Sequence, residues 1–308
     1  MTRSRARVIL NPAAGADAAP DYVQTLSARL GRRFGAVEVV LTTAAGDAER
    51  AAMVAVEDGC EHLIVGGGDG TLNEALNGVA SIDGGLERTV FGLVPLGTGN
   101  DFAAALGLPT DVEAALDVLL GGRVRAVDVG VVNGRVFVNV SGGGFIAEVS
   151  ESVTPQMKSI AGRLAYLIGG AQALLDFEPV GATIVAEPEP VRVEGGLYAF
   201  AVCNSRLIGG GKLIAPYAVI DDGLLDVCVI DAMPALEFVA LLREVAQGTH
   251  TNDPRVRYVR ASMTTFSFDR PIKVNTDGEA FEAVSCTYTV MPGAARFIAG
   301  DAPFAATA

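Results

Sequence analysis

The sequence predicts an α/β fold: an N-terminal, doubly wound, mostly parallel sheet followed by a mainly antiparallel β region. Three observations carry this. Residues 7 to about 125 alternate short β-branched runs with apolar residues at helical spacing. Three of those runs end in turns rich in Gly, Asn or Asp. Beyond about 125 the strand-like runs crowd together and helical stretches become few. Domain bounds of 1–125 and 126–300 follow, with an Ala-rich tail over 301–308 that is expected to fray.

Taken in order, 7–10 is a first strand, stopped by Asn11-Pro12-Ala13-Ala14-Gly15. Pro20 suits a helix start, and Val23, Leu26 and Leu30 follow at helical spacing. Val37 to Leu41 is a second strand, and Asp47 is placed to cap a helix through Glu57. A third strand over 62–65 runs into Gly66-Gly67-Gly68-Asp69-Gly70, with a helix over 72–79. A fourth over 90–94 runs into Pro95-Leu96-Gly97-Thr98-Gly99-Asn100-Asp101. The second region reads as strands over 136–140, 180–185, 197–203, 224–230, 264–268 and 287–290. Helices are expected over 158–176 and 234–246.

Composition excludes several classes. With 23 Lys+Arg against 36 Asp+Glu the net charge is −13, wrong for a nucleic-acid binder, which needs clustered positive charge. No apolar run is long enough to span a membrane, and the N-terminus does not read as a signal peptide. Cys60, Cys203, Cys228 and Cys286 form no CxxC pair, and two histidines cannot furnish a His-rich zinc site. These features point to a cytoplasmic protein with reduced thiols. The only lysines are Lys158, Lys212 and Lys273.

In an open parallel sheet, strand-end turns meet at the carboxyl edge, where ligands bind. The turns at 11–15, 66–71 and 97–101 therefore converge. Their glycines let backbone N–H groups approach an anion, and the helix that follows 66–71 points its positive end there. Neither GxGxxG nor GxxxxGK[ST] occurs, which argues against NAD-type dinucleotide folds and P-loop NTPases. A carboxylate at Asp69 repels phosphate unless a divalent cation or a substrate hydroxyl lies between. Plainer readings stay open: Asp69 as a cap, Asn100-Asp101 as a helix-capping pair, Asp222 as a turn residue, and Asp277-Gly278-Glu279 as a hairpin turn.

Gly67-Gly68-Asp69-Gly70-Thr71-Leu72-Asn73-Glu74 together with Pro95-Leu96-Gly97-Thr98-Gly99-Asn100-Asp101-Phe102-Ala103 resembles the diacylglycerol kinase catalytic-domain family, which includes bacterial lipid kinases and the sphingosine and ceramide kinases. The opening Asn11-Pro12-Ala13-Ala14-Gly15 also matches, as do Asn204 with Gly209-Gly210-Gly211, the run Ala215-Pro216-Tyr217-Ala218 and Asp222-Gly223-Leu224-Leu225-Asp226-Val227, and Asp277-Gly278-Glu279. The resemblance implies an NAD-kinase-like first domain that binds ATP and a β-rich second domain for the lipid. It places Asn11, Thr42, Gly67, Gly68, Asp69, Gly70, Thr71, Leu72, Asn73 and Thr98 at the nucleotide. It makes Glu279 the catalytic base, with Asp69, Asp101 and Asp222 as further active-site carboxylates. It gives Mg²⁺ to the Asp222 side chain and to main-chain oxygens of Val219 and Leu224.

One departure stands out. The family's first motif often continues with Ser-Gly and a basic residue, and here Ala14-Gly15-Ala16-Asp17 stands instead. The expected function is transfer of the ATP γ-phosphoryl group to a lipid hydroxyl, foremost diacylglycerol giving phosphatidic acid. Alternatives are another lipid acceptor such as a sphingoid base, a soluble NAD-kinase-like enzyme, and a non-catalytic nucleotide-binding module. The enzyme would visit the inner face of the cell membrane peripherally, and a homodimer is kept open. Arg29, Arg32 and Arg33, the alternating Arg255, Arg257 and Arg260, and an amphipathic helix over 158–175 are candidate contacts with the bilayer, against the plainer readings of solvated surface for the arginines and core helix for 158–175.

Overall fold

The computed structural model describes residues 6–14, 20–145, 147, 177–187 and 195–300. Its first four strands are the β-branched runs of the sequence: β1 (Ala6–Leu10), β2 (Val37–Leu41), β3 (His62–Gly67) and β4 (Val90–Pro95). They pair in parallel in the order β4-β3-β1-β2. Helices α1 (Pro20–Phe34), α2 (Asp47–Glu57), α3 (Asp69–Ala80), α4 (Gly85–Arg88), α5 (Asp101–Ala105) and α6 (Val112–Gly121) fill the crossovers. Strands buried on both faces are why β1, β3 and β4 are apolar almost throughout rather than alternating.

The chain then turns antiparallel through β5 (Arg123–Val132), β6 (Arg135–Phe137), β7 (Val140–Gly144), β8 (Ala182–Glu187), β9 (Leu197–Cys203), β10 (Leu225–Asp231), helix α7 (Ala235–Gln247), β11 (Val256–Ala261), β12 (Met263–Thr276) and β13 (Glu279–Ala299). The α/β class with a parallel N-terminal sheet and antiparallel C-terminal strands is as expected. The two regions are hydrogen-bonded into one sheet. β13 pairs with β12 along most of its length, and its end lies parallel to β4 at Phe297 and antiparallel to the start of β5. Phe297 stacks on Phe91 of β4 and meets Phe102 of α5 edge-on, so the last strand of the chain helps build the N-terminal core.

Some elements differ from the sequence reading, each for a physical reason. The helix expected over 72–79 starts at Asp69, so half of the expected glycine-rich turn is its first helical turn. Asp47 does not cap α2. Gly46 occupies the cap, and the Asp47 carboxylate accepts the Thr43 and Ala44 N–H groups of the turn before it. The strand expected over 136–140 breaks at 138–139, because the amides of Val138, Asn139 and Val140 are all taken by the Asp277 carboxylate. The helix expected over 158–176 and the tail over 301–308 lie outside the described residues.

The two arginine groups proposed for the bilayer do not form free basic stripes. Arg29 pairs with Glu113 and Asp117, and Arg33 donates to the Leu119 carbonyl, which clamps α1 onto α6. Arg255 pairs with Asp253 and Glu237, Arg257 with Asp231, and Arg260 with Asp222. Arg29, Arg255, Arg257 and Arg260 are thus each neutralised by a carboxylate of the chain itself. No helix among the described residues is long and apolar enough to cross a membrane.

Candidate active site

The turns after β3 and β4 meet at the sheet edge, as parallel topology requires. Two glycines permit the approach. A Cβ on Gly97 would stand 2.5 Å from the Gly68 Cα, and one on Gly68 would stand 3.2 Å from the Gly97 Cα. Gly68 is the N-cap of α3 and offers no side chain, so the positive end of the helix is left open. Asn100 folds the second turn by accepting from the Gly97 N–H at 2.9 Å and donating to the Gly97 carbonyl at 2.7 Å.

Asp69 performs the capping that the sequence reading allowed, but on another helix. Its carboxylate accepts from the N–H groups of Asp101 (3.1 Å) and Phe102 (3.0 Å), the first residues of α5. Asp101, itself buried, accepts from the N–H groups of Gly210 (3.0 Å) and Gly211 (2.8 Å). Two aspartates thus form a relay from α3 to α5 to the Gly209–Gly211 turn of the second region. Gly209, Gly210 and Gly211 all have φ between +60° and +96°, which only glycine adopts three times in succession.

From Asp69 a polar chain runs into the β region. Asn139 donates to Asp69 at 3.2 Å, and Ser205 donates to Asn139 at 2.8 Å. Asn204 spans the carbonyls of Asp128 and Val138 at 3.0 Å each. Asp277 accepts the amides of Val138 (2.8 Å), Asn139 (3.1 Å) and Val140 (2.8 Å). Burial pushes its carboxyl up to about 6, and those three N–H groups hold it from rising further.

These pieces enclose a cleft of about 650 Å³ between the two regions. Of the expected site residues, Gly68, Asp69, Gly70, Thr98 and Asp101 line it, beside Asn139, Lys212, Asn275 and Asp277. Asn11 stands behind, donating to the Thr71 hydroxyl at 3.0 Å, and Gly67 packs its bare Cα against Thr71. Thr42 follows β2 and is buried, with its N–H on the Leu10 carbonyl. The Leu72 side chain turns into the core, and the Asn73 amide accepts from Asn77, so neither side chain faces the cleft.

Two expected carboxylates stand apart from this cleft. Asp277-Gly278 forms the hairpin turn between β12 and β13, and Glu279, just beyond it, is gripped by Arg135 at 2.8 and 2.9 Å. Arg135 also forks onto Glu49 of α2 at 2.9 and 3.0 Å, so one guanidinium joins two carboxylates. Asp222 sits in a separate cleft with Asp128, Asp221 and Pro292. One of its oxygens accepts the Leu224 N–H at 3.1 Å and the other pairs with Arg260. Val219 packs against the N-terminal core. Among the described residues no three His, Cys, Asp or Glu side chains gather as a metal-binding cluster.

Sequence reasoning missed Asp128, Asn139, Arg135 and Lys212. Asp128 is the most instructive. It is buried, and it accepts from the N–H groups of Gly223 (2.6 Å) and Gly293 (2.7 Å). Its one signal was an aspartate interrupting the apolar run Val127-Asp128-Val129.

Comparison with known proteins gives this geometry its context. Residues 5–132 match the diacylglycerol kinase catalytic domain, and residues 139–299 match the YegS C-terminal NAD kinase beta sandwich-like domain. The chain is 33% identical over 276 residues to the diacylglycerol kinase of Bacillus subtilis (strain 168), covering 89% of each chain. It is 33% identical to that of Staphylococcus saprophyticus, covering 90% of this chain and 89% of the other. A crystal structure from Bacillus anthracis str. Sterne, provisionally named a diacylglycerol kinase, superposes with a TM-score of 0.82 at 25% identity, covering 98% of this chain and 97% of that one. With motifs, fold and full-length similarity in agreement, the chain belongs to the diacylglycerol kinase family of lipid kinases.

Proposed function

We propose that the chain transfers the γ-phosphoryl group of ATP to a lipid hydroxyl, with diacylglycerol as acceptor and phosphatidic acid as product. The observation that carries this is the single cleft between Gly68-Asp69-Gly70, Thr98-Gly99 and the Asp277-Gly278 hairpin, floored by the uncapped end of α3. Open backbone N–H groups at a helix N-terminus suit a polyphosphate. The relay of Asp69 and Asp101 keeps the three turns at fixed separation, which is the main task of a protein in phosphoryl transfer. The first region and the end of β13 would hold the nucleotide, and the second region the lipid. The acceptor requires the cleft mouth to meet a bilayer, and we place that contact at the cytoplasmic face.

Roles then fall as follows. Glu279 accepts the proton of the attacking hydroxyl once its carboxylate leaves Arg135. Asp277, one turn residue away, holds the 138–140 strand connection in place against the cleft. The donor set for Mg²⁺ fits less well. The Asp222 carboxylate could join the Val219 and Leu224 carbonyls around a cation only with Arg260 turned aside, and we assign no step to that point.

The test is phosphate transfer from γ-labelled ATP to a panel of lipids in mixed micelles, with products identified by mass. Labelled phosphatidic acid from diacylglycerol is expected, and Glu279→Gln should lower turnover by about 10²–10⁴-fold. Phosphorylation of NAD with no lipid product would overturn the lipid reading. Full turnover in Glu279→Gln would remove Glu279 as the base.

A further inference from the structure

We propose that Lys212 is the residue that neutralises the transferred phosphoryl group; this rests on the kinase reading above. Charge balance motivates it. The cleft is lined by three carboxylates, Asp69, Asp101 and Asp277, and Lys212 is the one cation among its described lining residues. A triphosphate entering such a site needs positive charge from the protein as well as from any metal it carries.

The position of Lys212 is built rather than incidental. Ile208 and Lys212 exchange both backbone hydrogen bonds, at 2.9 and 3.2 Å, closing the Gly209–Gly211 turn into a tight loop. Asp101 grips Gly210 and Gly211 from the other side of the cleft. Gly99 and Gly210 then approach so closely that a Cβ on Gly99 would stand 3.7 Å from the Gly210 nitrogen. The base of the lysine is thereby fixed from both regions of the molecule. Its ammonium group is exposed and uses one donor on the Gly209 carbonyl at 2.8 Å, which leaves two for phosphate oxygens.

Lys212 lines the same cleft as the Asp277-Gly278 hairpin, which leads directly into Glu279. With Glu279 as the base, we place the Lys212 ammonium group at the outermost phosphoryl group. In the transfer the acceptor hydroxyl gives its proton to the base and its oxygen bonds to the γ-phosphorus. The bond from that phosphorus to the β,γ-bridging oxygen breaks, and ADP leaves with the electron pair. Lys212 donates hydrogen bonds to the γ oxygens throughout and is unchanged at the end.

The test compares unaltered chain, Lys212→Met, Lys212→Arg and the control Lys273→Met by calorimetric binding of MgATP and MgADP and by steady-state kinetics on diacylglycerol micelles. Lys212→Met should lower kcat/KM and MgATP affinity roughly 10- to 100-fold, the range for losing a hydrogen bond to a charged group. MgADP affinity should change by less than about twofold, Lys212→Arg should recover part of the loss, and Lys273→Met should match the unaltered chain. A Lys212→Met protein within about twofold for MgATP would overturn the proposal, as would equal weakening of MgADP and MgATP. Failure of the unaltered chain to bind MgATP would instead remove the kinase reading, and this assignment with it.

Discussion

Asp277 receives three consecutive backbone N–H groups and is buried, and the two effects oppose each other. Burial wins, lifting its carboxyl to about 6, and Asp226 is lifted to about 6 by burial as well. Each therefore keeps a proton in the folded chain over a range where the unfolded chain has lost it. The stability they contribute is complete below the ordinary aspartate value near 4 and is lost as pH rises through 6. Between pH 4.5 and pH 6.5 these two carboxyls are expected to lower the stability measured by urea unfolding as pH rises, while His62 and His250, whose imidazoles burial holds below their ordinary value, act in the opposite sense. The carboxyls held low, Asp47 and Asp253, act mainly below this window. Asp277→Asn removes the Asp277 share while leaving the histidines in place; an unchanged pH slope in that variant would show that the three amides outweigh burial.

At the scale of elements, the glycines of the site divide into two kinds. Gly97 has no room: an added methyl meets the Gly68 backbone at 2.5 Å and the Asn100 side chain at 2.9 Å. Gly97→Ala should cost about 1–3 kcal/mol in urea unfolding and weaken nucleotide binding, because the two strand-end turns must part. Gly70 has nothing within 4 Å of its Cβ position and lies in the first turn of α3. Gly70→Ala should leave stability unchanged or raise it by up to about 1 kcal/mol, yet weaken MgATP binding by crowding the open helix end. Loss of stability in Gly70→Ala would place that residue in packing instead. The sequence announced both turns, but it could not separate a glycine kept for close approach from one kept for a ligand. That distinction depends on what the other turn brings opposite it.

For the molecule as a whole, Asp128 fastens three distant segments of the second region at a cleft separate from the one lined by Asp69 and Asp101. Its carboxylate ties the 221–224 turn and the β13 bulge to β5, and its N–H holds the Ile220 carbonyl at 2.7 Å. Asp128→Ala would leave two amides without a partner, at about 1–3 kcal/mol each. Hydrogen exchange should accelerate at Gly223 and Gly293 in that variant while α1 and β2 keep their protection. Uniform acceleration throughout the chain would show a global rather than a local fastening.

The sequence by itself determined the α/β class, the four parallel strands and the turns that end them, because strand and helix periods and Gly-rich turns are local properties of the chain. It also determined the family, since GGDGT, GTGND, DGLLDV and DGE are read from neighbours in sequence. Only the tertiary structure decided which carboxylates share a cleft. Asp69, Asp101 and Asp277 do, whereas Glu279 is held by an arginine 144 residues away and Asp222 by one 38 residues away. Ion pairs and relays of that kind form between distant segments, and no spacing along the chain encodes them.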